Sequence, residues 1–113
     1  MSIVYTSGIA YGYKVTKEQL TEAATLYNEE FGLVELVDIL YEEDMIIPLN
    51  SWTESCEYIV GVTLCTCEED IAIALEKIKP IHVEKNLVMK VYNQYLSHLN
   101  LPNPQLYLFQ MVS

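Results

Sequence analysis

Residues 57–65 read EYIVGVTLC and carry the clearest strand pattern in this chain. Successive side chains of a strand point to opposite faces, so the segment presents two different sets of residues. One set is apolar and the other is partly apolar: Tyr58, Val60, Val62 and Leu64 alternate with Glu57, Ile59, Gly61, Thr63 and Cys65. A strand that is apolar on one face and partly apolar on the other is predicted to lie in the centre of a sheet.

Three further strands are predicted on either side of this segment. The stretch Ile3–Val15 is rich in Tyr, Val and Ile, and its second half, which alternates between large and small side chains, is the predicted strand. The short apolar run Met45–Leu49 contains Pro48, which has no N–H for a ladder, so this strand is expected at an edge. The alternating segment Leu106–Val112 forms the predicted last strand.

Helix signals follow the first strand directly. Thr16 with Gln19 forms a T-x-x-Q capping box, after which apolar residues recur at helical spacing, and Gly32 is the predicted stop. The stretch Leu33–Asp44 predicts a second, shorter helix.

A second pair of helices is predicted after the central strand. Thr66 with Glu69 forms another capping box, which would open a helix that ends before Pro80. A last helix is predicted over Val83–Leu99 from its apolar stripe.

This order of elements indicates an α+β protein. It matches a ferredoxin-like βαββαβ sandwich, in which helices cover one face of a four-stranded antiparallel sheet with strand order 4-1-3-2. The paired helices depart from the simplest version of that plan, so another α+β topology with the same elements stays open. The 113 residues contain no linker or repeat, and we expect a single α+β domain over residues 1–113.

The three cysteines are expected to be free thiols. Cys56, Cys65 and Cys67 are odd in number and show no C-x-x-C spacing. A helix beginning after Thr66 would place Cys67 in its first turn, where the helix dipole lowers a thiol pKa, but neighbouring carboxylates would oppose that effect. An inert thiol is the favoured interpretation.

The charge balance excludes several classes of partner. Sixteen acidic residues face six lysines, there is no arginine, and the formal net charge is -10. Direct binding to nucleic acid or to an anionic membrane is therefore disfavoured, because such a chain has little cationic surface with which to displace counterions. No apolar run approaches the length of a membrane span and the first residues do not resemble a secretory signal, so a cytoplasmic location is expected.

The acidic residues are also unevenly distributed. Fifteen carboxylates and no lysine lie between Glu18 and Glu76. One interpretation is an acidic surface that binds a basic partner, and the other is a solvated surface that keeps a small protein soluble. The candidate partner-binding residues are the members of three clusters: Glu29, Glu30, Glu42, Glu43, Asp44, Glu68, Glu69 and Asp70.

A second candidate surface is the sheet face that the helices leave uncovered. With the small residues of the first strand turned toward the helices, the opposite face would carry five large side chains: Tyr11, Tyr13, Ile59, Tyr107 and Phe109. An apolar face of this kind should not stay in water, so it would pair with a partner or a second copy, or be covered by part of the same chain.

Signals for catalysis and for bound ions or cofactors are missing. There is no G-x-S-x-G, P-loop or G-x-G-x-x-G motif, and no EF-hand loop. His82 and His98 lack the spacing of a zinc site. We therefore expect no metal site, no cofactor and no enzymatic activity.

These observations favour a small non-catalytic protein that presents an acidic surface to a basic or nucleic-acid-binding protein, as an inhibitor or immunity-type factor. Its size and charge are similar to those of many phage-encoded inhibitors and toxin-neutralising proteins. The alternative is a homo-oligomeric structural or ligand-binding domain, a homodimer for example, that uses its tyrosine-rich sheet face. A small enzyme with a cleft near Tyr11, Tyr13 and Glu57 ranks last.

Overall fold

The computed structural model describes residues 5–49, 56–68, 72 and 81–112. In chain order the elements are β1 (Tyr5–Thr16), α1 (Lys17–Tyr27), α2 (Leu33–Glu42), β2 (Ile46–Leu49), β3 (Glu57–Glu68), α3 (Ile81–Val91) and β4 (Gln105–Val112). A π-helical turn over Tyr92–Leu96 continues α3. The predicted α+β class and the four-stranded antiparallel sheet are confirmed.

The strands are arranged in the order β2-β3-β1-β4. Read from the opposite edge, this order is β4-β1-β3-β2. The two longest strands, β1 and β3, lie in the centre. They pair with each other over Thr6–Thr16 and Glu57–Glu68, and the register shifts once between Ile9 and Ala10. The predicted central position of residues 57–65 and the predicted edge position of the Pro48 segment are both confirmed.

The capping box at the start of α1 forms as predicted. The Thr16 side chain accepts from the Gln19 backbone N–H at 3.1 Å, and the Thr16 N–H donates to the Gln19 side-chain oxygen at 2.9 Å. The predicted role of Gly32 as a helix stop is wrong, because α1 already ends at Tyr27. Gly32 is the N-cap of α2, where its N–H donates to the Glu35 carboxylate at 3.0 Å.

The capping box predicted at Thr66 is also wrong. Thr66 and Cys67 lie in β3, opposite Gly8 and Ser7 of β1. Pairing with a long neighbouring strand satisfies the backbone at this point, so the local helix signal is overridden. Of the remainder of the helix predicted from there to Pro80, residues 69–80, only residue 72 is described.

One core lies between the helices and the sheet. Eight of its described side chains are at most 1% exposed and come from strands and helices alike: Val15, Leu20, Ala23, Ala24, Leu36, Leu40, Val60 and Leu96. Leu20, Ala23 and Ala24 are the buried residues of α1 and recur at the spacing of one helix face. The described helices therefore stabilise the sheet from one side.

Tyr11 and Tyr13 lie on the helix-covered face, so their predicted place on the opposite face is wrong. Tyr13 lies opposite Val60 in the β1–β3 register and stacks on Tyr92, with ring centroids 5.0 Å apart. Tyr11 packs against the same core. The alternation within each strand was predicted correctly, but the register between strands is set by tertiary pairing, and a shift of one residue exchanges the two faces.

A second, smaller core occupies the opposite face of the sheet. Its members come only from strands among the described residues: Ala10, Ile47, Ile59 and Phe109, with Leu49, Tyr107 and Met111 packed against them. The edge strands β2 and β4 contact each other, which shows that the sheet curls over this face. Ile59 and Phe109 are 1% and 5% exposed, so the curling removes most of the surface predicted for pairing.

Two glycines allow the central strands to approach each other closely. A Cβ on Gly12 would lie 2.2 Å from the carbonyl oxygen of Val60, and a Cβ on Gly61 would lie 2.1 Å from that of Tyr11. These two glycines face each other across β1 and β3, so the backbones approach closely at the centre of the sheet.

Candidate partner-binding site

A groove of about 770 Å³ runs along one edge of the sheet. It lies beside the outer edge of β3 between residues 62 and 66. The connection from α2 to β2 forms one boundary, with Tyr41, Glu43 and Asp44 in the lining. Leu87 of α3 and Met111 of β4 also line it. We call this feature the groove.

The groove exists because β2 is shorter than β3. The β2–β3 ladder runs only from Leu49 opposite Glu57 to Ile46 opposite Val60, with one further hydrogen bond of 2.9 Å from the Gly61 N–H to the Met45 carbonyl oxygen. Beyond this bond no described strand pairs with β3 on its outer side. The seven residues left over span about 23 Å of strand edge.

Asp44 diverts the chain away from that edge. It has a φ of 55° and is the described non-glycine residue with a left-handed backbone. Its N–H donates to the Tyr41 carbonyl oxygen at 3.1 Å, and the following Met45 N–H donates to the Leu40 carbonyl oxygen at 2.8 Å. The chain therefore turns from α2 directly into β2, and Glu43 and Asp44 are left at the groove.

No described basic side chain forms a salt bridge with the carboxylates at this turn. Glu42, Glu43 and Asp44 are all exposed, and no basic residue lies in the last turn of α2. The C-terminal end of a helix carries partial negative charge, so carboxylates placed there destabilise the helix. Among the described residues the salt bridge is Lys14 with Glu57, at 3.6 Å and partly exposed, on another part of the sheet.

The acidic residues predicted from sequence are not brought together as one patch. Glu29 and Glu30 are exposed near the N-terminal end of α2, whereas Glu42, Glu43 and Asp44 are at its C-terminal end, about 15 Å away along the helix axis. Glu68 is the last residue of β3. Glu69 and Asp70 lie outside the described residues.

The groove also has apolar walls that sequence reasoning missed. Tyr41 is 67% exposed and Leu87 is 48% exposed, and both line the groove. Neither residue belongs to a motif. Tyr41 is on α2, which packs against α1 and β2, and Leu87 is on α3, which packs against β3, so the two meet only in the tertiary structure. The difference in length between the Met45–Leu49 run and the 57–65 strand was the available signal, since it leaves part of the longer strand unpaired.

Three tyrosines have pKa values raised by their surroundings. Burial is the main cause for Tyr13, with smaller effects from Tyr92 and Tyr11. Burial is also the main cause of the raised pKa of Tyr95, and electrostatic interactions with Tyr27 and then with Glu43 raise it further. For Tyr58, burial, a hydrogen bond with Cys56 and the charge of Cys56 raise the pKa to about 12. All three groups favour the neutral phenol in the folded state.

We expect Tyr58 to make the fold sensitive to alkali. Its folded pKa of about 12 exceeds the ordinary value of 10.0, so folding retains a proton that the unfolded chain loses. This contribution to stability is complete below pH 10 and is lost as the pH rises toward 12. In urea unfolding between pH 10 and pH 12, the free energy of unfolding should fall less for Tyr58→Phe than for the wild type. Tyr41→Phe is the matched control on an exposed tyrosine, and an equal loss in all three proteins would contradict the assignment.

The described residues show no clustering of the kind that would hold a metal ion. Cys56, Cys65 and Cys67 form no disulfide with one another, as predicted. The cleft of the alternative ranked last, a small enzyme, would lie near Tyr11, Tyr13 and Glu57. Tyr13 is buried in the core, and Glu57 is paired with Lys14. No helix in the described part of the chain has the length and apolar character needed to cross a bilayer.

The chain was compared with protein families, curated proteins and solved structures, and none of the three comparisons finds a match.

Proposed function

We propose that this protein is a small non-catalytic binding module that takes an extended, basic segment of a partner protein into the groove. The observation that carries this proposal is the coincidence of an unpaired strand edge with uncompensated carboxylates and exposed apolar side chains. An inhibitor or immunity-type role, at work in the cytoplasm, fits such a module, because occupying a basic segment blocks whatever that segment binds.

The unpaired edge of β3 supplies the backbone contacts. The Gly61 N–H points outward to Met45, so Thr63, two residues further along, directs its N–H and C=O to the same side. An extended peptide can add to such an edge as an extra strand, with main-chain hydrogen bonds giving affinity. Its alternate side chains would pack against Tyr41 and Leu87.

The charge of the groove selects the partner. Its described lining contains Glu43 and Asp44 and no lysine, within a chain of net charge -10. Lysine or arginine side chains in the incoming segment would be attracted, while an acidic segment or a nucleic-acid backbone would be repelled. The favoured occupant is therefore a basic protein segment.

Neutralising the two groove carboxylates together with the adjacent Glu42 should weaken binding of a basic strand-forming peptide about tenfold. The test variant is Glu42→Gln, Glu43→Gln and Asp44→Asn, because asparagine tolerates the left-handed backbone at position 44. The probe is a labelled peptide of alternating lysine and valine, and the measurement is fluorescence anisotropy at physiological salt.

The matched control removes three charges elsewhere, by Glu22→Gln, Glu29→Gln and Glu30→Gln, all at exposed positions. It should change the affinity less than about threefold, because distant exposed charges are screened. Equal weakening by both variants would mean that binding reflects overall charge and would reject the groove. Equal binding of a peptide with an N-methylated backbone would reject strand addition.

We also propose that the fold is a variant of the ferredoxin-like sandwich. Three features support this assignment: neighbouring strands are antiparallel, the order from the β4 edge is 4-1-3-2, and the described helices share one face. The two helices between β1 and β2 depart from the simplest form of that plan.

A further inference from the structure

We propose that β4 pairs with β4 of a second copy of this chain, which joins two sheets edge to edge around a two-fold axis. The resulting dimer would contain one continuous eight-stranded antiparallel sheet. This inference does not depend on the proposed function of the groove. The groove adjoins β3 and β2, and Met111 near the end of β4 also lines it, whereas the proposed pairing is centred on Leu108.

The outer edge of β4 lacks the usual protection against pairing. β4 is an eight-residue strand that pairs with β1 on one side, and no described strand lies on the other. Natural edge strands are normally protected by charge, proline, a bulge or short length. The β4 sequence QLYLFQMV has no charge and no proline, and its register with β1 is unbroken. The opposite edge strand, β2, is short and contains Pro48.

Apolar side chains on β4 are left in solvent. Leu108 is 82% exposed, the highest value among the exposed large apolar residues of the described chain, and Leu106 is 54% exposed. They lie opposite Ile9 and Tyr11, on the helix side of the sheet but at its margin. Their exposure shows that no other described part of this chain covers them. Burial against a second copy would remove this surface from water.

The backbone of β4 is oriented for pairing. The Gly61 N–H donates to Met45 and so points away from β1. Gly12, which lies opposite Gly61, therefore turns its own N–H and C=O groups away from β3 and toward β4. Gln105 lies opposite Gly12, so the N–H and C=O groups of Gln105 point toward β1. Alternation along the strand then turns the N–H and C=O groups of Leu106, Leu108 and Gln110 outward. A second β4 strand, antiparallel to the first and centred on Leu108, would form hydrogen bonds with the outward groups of all three residues.

Charge favours a second copy as the occupant of this edge. Residues 99–113 contain no charged side chain, in a chain of net charge -10. Two copies repel each other across most of their surfaces, and this edge is where they approach with least repulsion. A two-fold axis also makes the contact self-complementary and closed, so one strand edge satisfies its own copy.

Size-exclusion chromatography with light scattering should give twice the chain mass of 13.0 kDa for the wild type. Leu108→Glu would place two carboxylates opposite each other across the axis and should give the single-chain mass. Val34→Glu is the matched control, because Val34 is a 67% exposed apolar residue on α2, and this variant should stay dimeric. Thermal unfolding by circular dichroism checks that both variants fold.

Amide hydrogen exchange locates the interface. In the wild-type dimer the N–H groups of Leu106, Leu108 and Gln110 should exchange about tenfold more slowly than in Leu108→Glu. A wild type of single-chain mass at high concentration overturns the proposal, as does a Leu108→Glu variant that stays dimeric. A ladder of larger species would replace the closed two-fold pairing with open-ended association and would also overturn it.

Discussion

Gly61→Ala is expected to lower the free energy of unfolding by about 3 kcal/mol or more. The added Cβ would lie 2.1 Å from the Tyr11 carbonyl oxygen and 2.6 Å from the Gly12 Cα. Both obstacles are backbone atoms of the central strand, so no side-chain rotation can relieve the overlap. The two central strands would have to separate at the point where the sheet is most closely paired.

The same substitution at Gly32 is the matched control. A Cβ there would meet the Glu35 carboxylate oxygen at 2.8 Å, and that group is the flexible end of a side chain. Gly32→Ala should cost about 1 kcal/mol or less, since glycine is only a moderate N-cap. Urea unfolding followed by circular dichroism measures both variants. Equal stability of Gly61→Ala and the wild type would show that the backbones do not approach as described.

Leu20→Ala should cost about 3 kcal/mol of unfolding free energy. Leu20 is 0% exposed and belongs to the core between the helices and the sheet. Truncation removes buried apolar surface and leaves a cavity among fixed neighbours, so both effects act in the same direction.

Leu26→Ala on the same helix is the matched control, because it makes the same change of helix propensity at an exposed position. Leu26 is 51% exposed, so its truncation should change stability by less than about 0.5 kcal/mol. The unfolding midpoints of the two variants and the wild type in urea give the comparison. A similar loss at both positions would mean that α1 is not docked through the face that contains Leu20.

The two proposed contacts assign different tasks to the two sides of the sheet. At the β3 side, Glu43 and Asp44 would make the edge selective for a basic segment, because their charge would repel copies of this acidic chain. At the β4 side the absence of charge permits self-pairing. Leu108→Glu and the neutralised groove variant therefore test separate surfaces. Loss of dimerisation should leave peptide binding intact, and loss of peptide binding should leave the dimer intact.

Local chemistry was sufficient to predict much of this fold. The alternation in residues 57–65, the capping box of Thr16 with Gln19 and the missing N–H of Pro48 each act within a few residues. Their consequences, a strand, a helix start and an edge position, are found in the structure. The acidic surplus and the lack of arginine are likewise properties of composition alone.

Register, curvature and the groove depend on contacts between residues distant in sequence. The pairing of Tyr13 with Val60 places Tyr11 and Tyr13 on the helix side of the sheet. The pairing of Gly8 with Thr66 continues β3 past the point where the local sequence predicts the start of a helix. Curling of the sheet then buried Ile59 and Phe109 without a covering helix among the described residues. Alternation specifies two faces but does not say which one meets the helices. That choice is made by the packing of whole strands against one another, and so it belongs to the tertiary structure.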